Sequence, residues 1–175
     1  MKKEVVSFKG PPVKSGNNLS LRDWILALLA YAGGKIRGKT RLQKALFLVQ
    51  EEIGAIEADY QPYKYGPYSP TVENELRSLE KEGLIYIREE LGGDDANAQV
   101  IYLSDRGKKL AQKALEQLMT REDWEDIESI FKLSAKAPLI SLLAYVYTFY
   151  PEWTVSSEIR SKIKSKKRKI KFFLL

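Results

Sequence analysis

Five basic residues stand close together in "GGKIRGKTRLQK": Lys35, Arg37, Lys39 and Arg41, with Lys44 about one helical turn further on. Their shared chemistry is attraction of an anion. At the start of a helix, free backbone N–H groups and the helix dipole favour the same charge, so a phosphate could be anchored there. The alternative is a solvated loop ahead of a capped helix. The glycine spacing lacks the Gly-Lys-Ser/Thr ending of a phosphate-cradling loop, which argues against nucleotide hydrolysis.

A second basic run, "RSKIKSKKRKIK" from Arg160 to Lys171, includes Lys166, Lys167, Arg168 and Lys169 and contains no acid. Of the 29 Lys and Arg in the chain, eight lie in this run, which leaves 21 against 23 Asp and Glu. The net charge of +6 is therefore concentrated in the tail, over a mildly acidic body. Such a run is either a solvated terminus or an arm that holds nucleic-acid phosphates or a membrane surface.

A third set lies in "SPTVENELRSLEKEG", where Val72, Leu76 and Leu79 form an apolar stripe and Thr71, Asn74, Glu75, Arg77, Ser78 and Lys81 point the other way. Amide, hydroxyl and guanidinium groups of this kind read base edges when a helix enters the major groove. Glu73, Glu75, Glu80 and Glu82 outnumber Arg77 and Lys81, however, and repel phosphate. The same helix could instead meet a basic protein partner. Consecutive acids from Glu122 to Glu128 suit the first turns of a helix better than an acid–base pair. With no Cys and no His, disulfides, thiol nucleophiles, zinc sites and the usual triads are excluded. No enzymatic activity, metal or cofactor is expected.

Several elements must position these groups. "SLRD" caps a first helix at Ser20, with Trp24, Ile25, Leu28, Leu29 and Ala32 on one stripe up to Gly33. "TRLQ" repeats the device with Thr40 and Gln43 and opens a second helix that runs through Leu42, Leu46, Val49 and Ile53 to Gly54. Ser69-Pro70 supplies an N-cap and first-turn proline for a third helix ending near Gly83. "LIYIREE" and "QVIYLS", separated by "LGGDDANA", read as a hairpin over 84–103, after which Ser104 caps a fourth helix. Between helices two and three, "YQPYKYGPYSP" packs four of the ten tyrosines and three of the seven prolines into one stiff link. Its rings either cover the neighbouring helices or stack on bases beside Lys64; proline and glycine content accounts for the link without a ligand.

This order predicts a mainly α fold with a small β hairpin: a winged helix-turn-helix domain over 20–119, followed by a helical extension over 120–159. Residues 1–19 read as a flexible arm and 160–175 as the basic tail. "TRED" caps a helix running through Leu133, and "PLISLLAYVYTFY" then reads as a helix that is apolar nearly all round. It must fold back on the domain or pair with a second chain, and a homodimer is the expected outcome. No segment is long and apolar enough to span a membrane, and "MKKEVVSFKGPP" lacks the core of a signal peptide, so a cytoplasmic location is expected.

"GKTRLQKALFLVQEEIG" followed by "YKYGPYSPTVENELRSLEKEGLI" is similar to the YwgA-like group of predicted winged-helix proteins, and more loosely to Panacea-domain antitoxins. The resemblance covers about residues 26–111, and its most specific part couples Leu42, Gln43, Lys44 and Phe47 to "YGPYSP". It implies a winged-helix fold and a regulatory role. Two functions are open at this point: a regulator bound to double-stranded DNA, or a non-enzymatic protein-binding module, antitoxin-like or adaptor, on the same scaffold.

Overall fold

The computed structural model describes residues 19–92, 97–161 and 163. The arm expected over 1–19 therefore lies outside the described residues except for Leu19, as does most of the tail expected over 160–175. Ile163, expected in that tail, is buried against the core.

Helix α1 (Leu21–Tyr31) starts as the sequence predicts. The Asp23 carboxylate accepts from the backbone N of Ser20 at 2.9 Å and from its hydroxyl at 2.8 Å, tying down the first turn. Strand β1 (Lys35–Arg37) comes next, where the sequence suggests only a basic loop. It has three residues, and only Ile36 between its two cations turns into the core. Helix α2 (Lys39–Leu48) continues into a π-helical turn over Val49–Ile53 that stops at Gly54, where φ is 71°. The N-cap of α2 is Gly38, at φ 94°, so the capping role expected of Thr40 and Gln43 is not realised.

The stiff link is itself a hairpin of β2 (Gln61–Tyr63) and β3 (Gly66–Tyr68), paired antiparallel. Helix α3 (Pro70–Lys81) follows, with the Ser69 hydroxyl accepting from Val72 N at 3.1 Å. Strands β4 (Ile85–Leu91) and β5 (Asn97–Leu103) form the predicted second hairpin. β1 adds to the free edge of β5, giving a three-stranded antiparallel sheet of order β1-β5-β4. Helix, strand, two helices and a β-hairpin, with the first strand paired to the last, is the arrangement of a winged helix. The tyrosine hairpin is an insertion in its helix-helix turn.

Helix α4 (Asp105–Met119) opens at Ser104, whose hydroxyl accepts from Gly107 N at 3.0 Å and donates to Gly83 O at 2.6 Å. It packs along α1. Gly107 is required by proximity: a Cβ there would stand 1.9 Å from Leu84 O. Helices α5 (Trp124–Ala135) and α6 (Leu139–Phe149) and a short 3-10 turn (Pro151–Thr154) follow. Thr120 does not cap α5. Its hydroxyl donates to Gln117 O at 2.7 Å and closes α4 instead, and the N-cap of α5 is Asp123.

α6 folds back on α2 and α5 and buries Leu139, Leu142, Leu143, Val146 and Tyr147 within its own chain. This removes the physical ground for expecting a homodimer. Enclosed on that side and by α1 and the sheet on others, α2 is buried at every residue from Arg41 to Val49. Phe47 lies edge-on to Tyr60, Tyr150 and Trp153 at 5.3, 5.2 and 5.2 Å, joining the tyrosine hairpin and the chain after α6 to α2. Among the described residues, no helix is long and apolar enough to cross a membrane.

Candidate nucleic-acid interface

Helix α3 divides as its periodicity predicts: Val72, Leu76 and Leu79 are buried, whereas Thr71, Asn74, Arg77, Ser78 and Lys81 are exposed. What the sequence does not assign is the position of its carboxylates. Arg22 on α1 donates through Nε to Glu75 at 2.9 Å and through its terminal nitrogens to Glu82 at 2.6 and 3.0 Å. The Glu82 carboxyl is held below its ordinary range chiefly by that hydrogen bond. Glu73 receives Lys39 Nζ at 2.7 Å and lies 3.8 Å from Arg77 Nε. Three of the four glutamates are thus engaged by cations of the same chain, and the helix is close to neutral with its neighbours counted. Arg22 escapes a reading of the sequence because a pairing between residues 22 and 82 has no local signature.

The basic cluster is dispersed by the fold. Lys35 is exposed and lies over the Tyr102 ring at 5.9 Å. Arg37 is half-buried and donates to the backbone oxygens of Glu90, at 3.0 Å, and Gly92. Lys39 belongs to the α3 ion pair. Arg41, expected to face an anion, is buried, and its Nη1 donates to Ser134 O at 3.0 Å and Ala137 O at 2.6 Å, bracing the α5–α6 connection. Lys44 is only 2% exposed, and its Nζ donates to Pro67 O at 2.8 Å. Burial pushes that amine down to about 7. Arg41 and Lys44 are therefore not phosphate ligands: the helices that close over α2 turn these two cations into internal braces. Lys35, Arg37 and Arg41 do meet along one cleft of about 430 Å³, shared with Lys136 and Glu90.

Residues 43 and 44 connect α2 to the inserted hairpin, the region that carries the family resemblance. The Gln43 side chain brackets the backbone of Ser69, donating to its O and accepting from its N, each at 2.9 Å. Tyr60 donates to the backbone O of Gln43 at 2.8 Å, and burial raises its phenol well above the ordinary range. Tyr68 is half-buried beside α3 and lies 5.1 Å from Tyr63 between ring centres. Tyr60 and Tyr68 thus serve as cover. Tyr63 and Tyr65 do not, being 45% and 46% exposed.

Elsewhere the acidic row breaks into separate pairs: Arg121 donates to Asp123 at 2.7 and 2.8 Å, and Glu128 accepts from Tyr31 at 3.3 Å. Lys166, Lys167, Arg168 and Lys169 lie outside the described residues. No family model matches the chain, and no curated protein matches it either.

Proposed function

We propose that the protein is a DNA-binding winged-helix regulator in which α3 reads the major groove of double-stranded DNA. The observation that carries this reading is the face of α3. Thr71, Asn74, Arg77 and Ser78 are exposed together, while Glu73, Glu75 and Glu82 are held by Lys39, Arg77 and Arg22. The helix therefore presents hydrogen-bonding groups with less repulsion than its sequence alone suggests.

Binding strength is assigned to phosphate contacts by Lys35 and by the basic run beyond the buried Ile163. The test is duplex binding measured at several salt concentrations. Asn74→Ala or Arg77→Ala should relax preference among sequences at a cost of about 1 to 3 kcal/mol for each base interaction removed. Removing residues 164–175 should weaken binding to every sequence and flatten the log–log salt dependence by about 0.9 for each phosphate no longer neutralised. Full-length protein that binds no duplex at low salt would overturn the reading.

The second reading, a protein-binding module, is favoured by the exposed rings of Tyr63 and Tyr65 on the tyrosine hairpin. Replacing both by Ser should leave DNA binding unchanged if that hairpin serves a protein partner.

A further inference from the structure

The carboxylate of Glu73 has an unusual position for a group on a helix that faces DNA. It stands in the first turn of α3, where the dipole favours an acid, and its side chain is only 13% exposed. Two cations from different elements converge on it: Lys39, the first residue of α2, at 2.7 Å, and Arg77, one turn further along α3, at 3.8 Å. Lys39 comes from the basic cluster of residues 35–44, and Arg77 is the arginine on the exposed face of α3. A single carboxylate thus occupies the place between Lys39 and Arg77 that a backbone phosphate would take. Tyr68 stands beside the same group, half-buried, and closes it on the hairpin side.

We infer that Glu73 is an internal phosphate surrogate that keeps α3 from binding DNA without regard to sequence. A phosphate approaching this face must displace the carboxylate from two cations and is repelled by it, so contact with the backbone alone gains little. A site that also satisfies Asn74 and Arg77 at base edges supplies the free energy for that exchange. Glu75 and Glu82 do not share this role, because Arg22 holds them from α1, apart from Lys39 and Arg77. Partly exposed ion pairs of this kind are individually weak, so the exchange lies within the reach of a few base contacts.

The inference rests on the DNA reading, and one titration series separates the two. Full-length protein, Glu73→Gln and the double variant Glu73→Gln/Lys39→Gln are titrated with a random-sequence duplex from about 50 to 300 mM salt, the range over which phosphate contacts are read, with thermal denaturation confirming that each is folded. Glu73→Gln should bind random duplex about tenfold more tightly at low salt. Its salt slope should steepen by about 0.9 to 1.8 for one or two released cations. The added Lys39→Gln should reverse at least half of that steepening. If the parent protein binds duplex and Glu73→Gln matches it in affinity and slope, Glu73 is only a brace and the inference fails while the DNA reading stands. If neither protein binds, both fail. Binding by Glu73→Gln alone would overturn the DNA reading for the native chain, and the inference with it.

Discussion

Lys44 gives the most quantitative test of how the fold treats its cations. Its amine is enclosed between α2, the tyrosine hairpin and Tyr147, with Pro67 O as acceptor. Burial lowers it from 10.5 to about 7, and the gap corresponds to about 5 kcal/mol between its limits. The sign follows from which state holds the proton. Below about pH 7 the amine is charged in both states, and the folded protein bears the whole cost of burying that charge. Between about 7 and 10.5 the unfolded chain binds more protons than the native one, so stability rises with pH. Above 10.5 the difference is gone.

Lys44→Met keeps the length of the side chain and removes the titration. It also leaves Pro67 O without its donor, a cost of about 1 to 3 kcal/mol that does not vary with pH. Urea unfolding of both proteins, followed by tryptophan fluorescence, should show the difference in stability moving toward the parent by about 3 kcal/mol from about pH 7 to 9.5. Tyr60, Tyr145 and Tyr150, raised mainly by burial, contribute equally to both proteins and cancel. Stability curves that run parallel across this range would refute the reasoning and show that the amine keeps its charge by finding water or an anion.

Three other outcomes follow from geometry. Gly107→Ala should destabilise by about 3 kcal/mol or more in chemical denaturation, because the new methyl meets a backbone oxygen that cannot rotate away. Gln43→Leu should cost about 1 to 3 kcal/mol in the same assay, since it leaves the buried backbone N of Ser69 without an acceptor and removes one of the two donors to its O, which Glu73 N still serves. Light scattering at micromolar concentration should return the 20.0 kDa mass of one chain, because the stripe of α6 formed by Leu139, Leu142, Leu143, Val146 and Tyr147 is covered from within. A mass near twice that value would restore the pairing expected from its sequence.

The parts of the fold that are legible in the sequence are those whose signals are local. Ser20 with Asp23, Ser69 with Pro70, and Ser104 each mark a helix start within a few residues. The alternation in "QVIYLS" separates β5 from the helices around it. The outward face of α3 is legible for the same reason, because one buried stripe defines its opposite. β1 is too short to show a period. The hairpin at 61–68 hides behind its prolines, which usually argue against strands. Arg41, Gln43 and Lys44 cannot be placed from sequence, since their burial depends on α5, α6 and the hairpin, all of which come from further along the chain. Even the correct periodicity of α2 describes only one of its covered sides.

The Gln43 bracket bears on how this domain can change. A plain helix-turn-helix joins its two helices through about three or four residues, whereas here residues 54–69 intervene. Lengthening a loop by two doublings costs only about 1 kcal/mol in closure entropy, which is comparable with what two amide hydrogen bonds restore. One side chain therefore short-circuits the detour mechanically, setting the pose of α3 from α2 directly. The hairpin tip is tied elsewhere, its Lys64 O accepting from Glu158 N at 2.8 Å, so a change of length there strains the chain after the 3-10 turn before it re-aims α3.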